Sequence, residues 1–315
     1  MQFMRHATTS TLSKMSKAQG RQVWRTILAR PQKEGDVPVR RSIGAAPVTE
    51  FMPFLLLDDV RMEGTAGAFG AHPHRGQETI TYLTEGSLEH RDSKGNRGHL
   101  SAGDLQFMRA GRGVVHDERP VLDPKTNANH GIQLWVALPE QNLQDEATYT
   151  DLREADIPVA RPIKGVIVKV IAGESFDKSA PVWNRAAVHY LDVQLEAGAE
   201  INHSIPDGFS SFVHVLEGYP TVAGQKAQPH ETVLLERHGA TVSLKNKDVG
   251  AARLLLVSGD PLDGQEVHRY GVSLLLPVSV RVHTDIAHSR SFPQVVMVYS
   301  RLFMTISMVS TDLRR

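Results

Sequence analysis

Two short runs hold the residues best suited to chemistry in this chain: His72-Pro73-His74 and, further along, His116-Asp117-Glu118. Each run places its outer residues at i and i+2. On a β-strand that spacing sends both side chains to one face, about 6.5–7 Å apart. Two such strands facing each other inside a barrel would aim three imidazoles and one carboxylate at a single point. That mixture of N and O donors is a ligand shell for a divalent transition metal: Fe(II), Mn(II), Ni(II), Cu(II) or Zn(II). A lone histidine is ordinarily a surface or satisfied core residue, so the reading depends on the pairing and on its surroundings.

The 315 residues allow one large or two medium domains. Lys plus Arg number 35 and Asp plus Glu number 35, so the formal net charge is zero and no global footprint for nucleic acid or a membrane exists. The 41% hydrophobic content supplies a sizeable core, and 22% charged residues suit a globular chain. There is no cysteine, which excludes a disulfide framework, a thiolate zinc site, an iron–sulfur cluster and a Cys nucleophile. No run of about 18 apolar residues suggests a transmembrane helix.

Strand signals dominate the elements that must position the two runs. Residues 22–28 and 37–43 read as a hairpin around Lys33-Glu34-Gly35-Asp36. Further short strands follow at 54–57, 79–84, 87–92, 105–108, 114–116 and 132–138, separated by Gly- and Asp-containing turns. This punctuation indicates an all-β barrel or sandwich. The polar and acidic stretch 139–160 reads as a connector with one helical turn. Strand signals then restart at 165–171, 188–195, 212–216, 231–235 and 252–258. Phe212–Leu216 with Glu217-Gly218 echoes Tyr82-Leu83 with Glu85-Gly86, which suggests a duplicated barrel. The second copy offers only Asn202-His203-Ser204 in place of the first pair and Leu256-Val257-Ser258-Gly259 in place of the second, so no metal is expected there.

The wider stretches are Gly70-Ala-His-Pro-His-Arg-Gly-Gln-Glu-Thr, running to Gly86, and Gly103-Asp-Leu-Gln-Phe-Met-Arg-Ala-Gly-Arg-Gly-Val-Val-His-Asp-Glu, running to Pro120. Glycine beside a ligand strand leaves no side chain to block the metal. Both stretches resemble the cupin motifs in the form found in the pirin family. The resemblance extends from about Arg21 to about Gly271, and includes Pro38-Val39-Arg40-Arg41-Ser42-Ile43-Gly44 and Gly259-Asp260-Pro261-Leu262.

The resemblance implies an all-β bicupin: two jelly-roll β-barrel domains with few short helices. The divisions are a basic leader at 1–20, a metal-binding barrel at 21–140, a connector at 141–160, a barrel without metal at 161–271 and an atypical tail at 272–315. It implies iron, Fe(II), held by His72, His74, His116 and Glu118. Glu78 is expected beside the site, bonding an imidazole N–H, with an ion pair to Arg75 or Arg112 as the alternative. Arg109, Arg112 and Arg119 are read as solvated or ion-paired, with anionic-substrate binding as the alternative. Some pirins resemble quercetin 2,3-dioxygenases. A flavonol and O2 are then the substrates, with Glu118 as general base. Nuclear pirins are iron-dependent coregulators that contact a transcription factor, and this is the alternative function. No direct nucleic-acid or membrane partner is expected, and the chain is read as a monomer.

The two ends stand apart. No acidic residue precedes Glu34, whereas Arg5, Lys14, Lys17, Arg21, Arg25, Arg30 and Lys33 do, and residues 7–17 are rich in Ser and Thr. This reads as a disordered basic leader, with a mitochondrial transit peptide as the alternative to a cytoplasmic or nuclear location. Past Gly271 the chain departs from the pirin pattern. Residues 295–299 and 302–308 are β-prone with few charges, and a shifted reading frame or retained intron would explain the departure.

Overall fold

A computed structural model describes residues 20–64, 67–182 and 184–265, together with the backbone of 268–270, 274–276, 295–299 and 304–308. The basic leader before Gly20 and most of the tail lie outside the described residues. Among the described residues there is no α-helix; two 3-10 turns, Glu140–Asn142 and Glu154–Asp156, interrupt an otherwise all-β chain.

The first half forms a seven-stranded sheet. Its spatial order is Thr148–Leu152, Leu105–Arg109, Gln77–Glu85, Ala128–Ala137, Phe54–Glu63, Val37–Ile43 and Pro31–Glu34. A four-stranded sheet accompanies it, in the order Phe69–His74, Val114–Val121, Ser87–Asp92 and Arg97–Ser101. The second half repeats the plan. Its seven strands are Val23–Leu28, Glu231–Leu235, Ser210–Glu217, Ala252–Gly259, Val188–Leu195, Val166–Ala172 and Val159–Ala160. Its four are Glu200–Ser204, Thr241–Lys245, Thr221–Val222 and Gln225–Lys226. This paired plan is the duplicated bicupin. Among the described residues no ladder joins the two sheets of either half, which pack as the layers of a jelly roll.

Burial explains the sequence patterns. In Val114–Val121, Val114, His116, Glu118 and Pro120 face inward while the alternate residues are more exposed, as a half-buried strand requires. Gln77–Glu85 is buried on both faces over its first seven residues. The cause is the packing of the two seven-stranded sheets back to back. Phe54, Ile80, Tyr82, Leu105 and Leu134 of the first half share one core with Tyr190, Phe212, Leu234 and Leu255 of the second. Phe54 meets Phe212 edge-on at 5.1 Å. The Tyr82 hydroxyl donates to Asp192 at 2.8 Å, and Arg253 holds the same carboxylate at 2.7 Å.

The two Glu-Gly turns have the same physical basis. Gly86 and Gly218 sit at φ of 79° and 76°. A Cβ would lie 2.7 Å from the Val121 carbonyl oxygen at Gly86 and 2.6 Å from that of Ala251 at Gly218. Only glycine fits both the dihedral and the close backbone approach.

Three expectations need correction. The hairpin is formed by Pro31–Glu34 and Val37–Ile43, not by 22–28 and 37–43. Val23–Leu28 crosses to the second half and pairs with Glu231–Leu235. Arg21 secures that crossing: its buried guanidinium donates to the carbonyls of Pro206, Phe209, Glu236 and Gly239 and to Ser211 Oγ. The stretch 141–160 is more than a connector, since Thr148–Leu152 is an edge strand of the first half and Val159–Ala160 one of the second. Finally, the partner of Glu200–Ser204 is Thr241–Lys245, with His203 opposite Val242. Residues 256–259 belong to the other sheet. Leucine, valine and serine at the true counterpart leave His203 with no fellow ligand among the described residues.

Candidate metal centre

The two histidine-bearing strands are hydrogen-bonded neighbours in the four-stranded sheet rather than strands facing each other across a barrel. His116 lies opposite His72, and Val114 opposite His74. Adjacent strands bring opposed side chains within about 5 Å, so the i, i+2 pair and its cross-strand neighbour form a triangle. The ring centroids of His72, His74 and His116 are 4.6–4.8 Å apart, and one ring nitrogen from each lies within 4.8 Å of the others. His116 Nε2 and His72 Nε2 are 3.1 Å apart. This is the only such cluster among the described residues.

Burial keeps two of these rings neutral. Desolvation, reinforced by the neighbouring imidazoles, holds the His74 and His116 pKa values well below the ordinary value. Neutral rings present lone pairs. At usual metal–nitrogen distances of about 2.0–2.1 Å, the 3.1 Å between His116 Nε2 and His72 Nε2 would let both bind one cation. His74 Nε2 is buried with no hydrogen-bond partner. The donor set and this orphaned atom fit a divalent cation.

The neighbours orient the rings. His72 Nδ1 lies 2.7 Å from the Gly70 carbonyl, which directs its Nε2 toward His116. His74 Nδ1 lies 2.7 Å from the amide of fully buried Gln77. The amide nitrogen faces this ring atom in the structure; when His74 Nε2 presents its lone pair to a metal, Nδ1 carries the proton and the amide turns over so that its oxygen accepts. Trp135 packs edge-on against His74 at 5.0 Å.

Glu118 is on the same inward face as His116, but the ladder shifts register between these two residues. Its carboxylate is not drawn into the imidazole triangle. It is buried, Oε1 has no partner, and desolvation raises its pKa. Glu118 and His72 both line a cavity of about 290 Å3. Leu56, Val60, Met62, Leu83, Ile132 and Trp135 supply much of its apolar wall.

Glu78 does not reach an imidazole. Successive strand residues face opposite ways, so Gln77 faces the histidines and Glu78 faces the second half. There Glu78 accepts from Arg109 Nε at 3.1 Å and from the Arg185 backbone N–H at 3.2 Å. Arg112 pairs with Glu146, and Arg119 is exposed on the outer side of its strand. None of these three arginines lines the cavity; Arg41 does. Gln77 and Arg41 are the residues that spacing alone did not single out. Gln77 had one available signal, its position three residues after His74 beyond Gly76, whose φ is 71°.

Comparison with known proteins agrees with this geometry. Residues 36–136 match the Pirin family and residues 190–272 match the Pirin C-terminal cupin domain. The chain is 41% identical over 252 residues to pirin of Rattus norvegicus, covering 78% of this chain and 84% of that one. A crystal structure of a Geobacillus kaustophilus protein is 32% identical with a TM-score of 0.71, covering 79% of this chain and all of that one. Quercetin 2,3-dioxygenase from Acinetobacter baumannii is 27% identical with a TM-score of 0.75, covering 83% and 93% of the respective chains.

Proposed function

The chain belongs to the pirin family, and from that premise we propose that it is an iron-dependent oxygenase of the quercetin 2,3-dioxygenase type. The carrying observation is the convergence of three imidazoles, with His72 of that cluster and the buried Glu118 carboxylate opening on one largely apolar cavity. His72, His74, His116 and Glu118 would hold Fe(II); the same donors accept Mn(II), Ni(II), Cu(II) or Zn(II). When bound, the metal supplies Lewis acidity and a site for O2 chemistry. The net reaction joins a flavonol with O2 and releases the ring-opened product and carbon monoxide.

The protein's contribution lies in its own groups. Glu118, buried beside His72 on the cavity wall, takes the proton of the substrate hydroxyl. Gln77 and the Gly70 carbonyl fix the rings of His74 and His72. Leu56, Val60, Leu83, Ile132 and Trp135 exclude water and stack against a flat aromatic substrate. The similarity to the Acinetobacter quercetin 2,3-dioxygenase supports this reading.

The test is O2 uptake by Fe(II)-loaded protein with quercetin, with His116→Ala as control. Uptake abolished by the substitution is the expected result. Iron bound without turnover would overturn the oxygenase reading and favour an iron-dependent coregulator that contacts a transcription factor.

A further inference from the structure

The cavity floor is the inner face of the first seven-stranded sheet, and the strand register sorts its lining into rows. Trp135 and Leu56 form one row. Two residues along, Thr81, Gln133, Asp58 and Arg41 lie side by side on four adjacent strands. Two residues further, Leu83, Gly131 and Val60 form the next. A polar row thus crosses the floor between two apolar ones. It lies about 6.5–7 Å along the strands from the Trp135 row, in the same cavity that His72 and Glu118 line.

The row is hydrogen-bonded within itself. Thr81 Oγ1 donates to Gln133 Oε1 at 3.0 Å. Arg41 Nε and Nη2 donate to the two Asp58 oxygens at 2.8 and 2.7 Å, and Nη2 also donates to Glu34 Oε2 at 3.2 Å. All five residues line the cavity, with Glu34 the more exposed end of the ion-pair chain. Two carboxylates face one guanidinium, so the ionised row carries a net negative charge. Each carboxylate oxygen has two lone-pair directions, and Arg41 does not fill them all. Set between two apolar rows, such a row attracts hydrogen-bond donors and repels anions.

We propose that the Gln133–Asp58–Arg41–Glu34 row selects the substrate, taking a neutral hydroxylated aromatic ring through phenolic O–H donors and rejecting a carboxylate at that position. The inference rests on the flavonol reading above and names the substrate features that reading leaves open. Phenolic O–H groups on the ring remote from the metal-binding oxygen donate to Asp58 and Glu34. Arg41 is held by the same two carboxylates and keeps their oxygens aimed into the cavity.

The experiment is anaerobic calorimetry on the iron-loaded full chain with three probes. They are quercetin, galangin (the related flavonol with no hydroxyl on its pendant ring), and a flavonol carrying a carboxylate on that ring. Wild type is expected to bind quercetin about tenfold or more tighter than galangin, the scale of one or two hydrogen bonds to charged acceptors. The carboxylate probe is expected to bind most weakly. Glu34→Ala should bring quercetin and galangin within about threefold and strengthen the carboxylate probe by about tenfold, the scale of one removed like charge. Glu34→Gln, which keeps the side-chain volume, should strengthen the carboxylate probe as well. Equal binding of quercetin and galangin by wild type, or an unchanged order in both variants, overturns the proposal. If both flavonols are then still turned over, the oxygenase reading survives alone; if neither binds, both fall.

Discussion

Gln77 and Glu78 are adjacent and both buried, yet the structure assigns them opposite consequences for metal binding. The Gln77 amide lies 2.7 Å from His74 Nδ1 and is fully buried, so no water can replace it. Gln77→Leu keeps the volume but removes the one side-chain hydrogen bond that, among the described residues, fixes the His74 ring and its tautomer. Loss of such a partner typically weakens metal binding about 10–100-fold, or about 1.4–2.8 kcal/mol. The metal-free protein should change by less than about 1 kcal/mol, because Gln77 already has one amide atom without a partner. Glu78→Gln should show the reverse pattern. Its carboxylate holds Arg109 Nε at 3.1 Å and the Arg185 N–H at 3.2 Å, away from the histidines. Metal affinity should stay within about twofold while stability falls by about 1–3 kcal/mol. Competition for Fe(II) against a chromogenic chelator, under anaerobic conditions, measures the first quantity; urea unfolding of the apo protein measures the second. Wild-type affinity in Gln77→Leu, or equal weakening in Glu78→Gln, would refute the assignment.

Other expectations concern the frame around the site. Asp59 is buried between the halves, accepting from His130 Nε2 at 2.7 Å and His230 Nδ1 at 2.6 Å, with His214 Nε2 at 3.5 Å. Burial pushes its pKa up, but the three imidazoles outweigh that and hold it below the ordinary carboxylate range. Asp59→Asn should cost about 3–5 kcal/mol by urea unfolding; a cost under about 1 kcal/mol would show the cluster to be passive. In the second half, desolvation lowers the His203 pKa from 6.5 to about 4. The unfolded chain therefore takes the proton first. Stability from this group is full above pH 6.5 and is lost as pH falls toward about 4. At about 1.4 kcal/mol per tenfold in proton affinity the loss is about 3 kcal/mol, and His203→Gln should flatten the acid limb of a pH–stability curve by that amount. Gly86→Ala and Gly218→Ala should each destabilise by about 2 kcal/mol or more in thermal melts, because both combine a left-handed φ with a backbone oxygen under 3 Å away. A neutral result at either would contradict the shared turn geometry.

The all-β class, the duplication and the histidines were legible in the sequence because each rests on local spacing. An i, i+2 histidine pair shares a strand face whatever the tertiary context. A Glu-Gly turn marks a strand end wherever a left-handed φ is required. The placement of Glu78 was not legible in the same way. Two adjacent carboxamide and carboxylate side chains look equally able to serve an imidazole, and only the burial of Gln77–Glu85 on both faces decides which one does. The crossing of Val23–Leu28 depends on hydrogen bonds from Arg21 to residues about 185–218 positions away, which no local pattern records.

The sequence by itself determined which residues could bind a metal and on which strand faces they sit, since strand alternation is a property of the backbone. Only the tertiary structure decided that the two strands are neighbours and that the register shift sets Glu118 off from the triangle. It alone drew Thr81, Gln133, Asp58 and Arg41 into one row, because register between distant strands is set by the packing of whole sheets and not by any local run of residues.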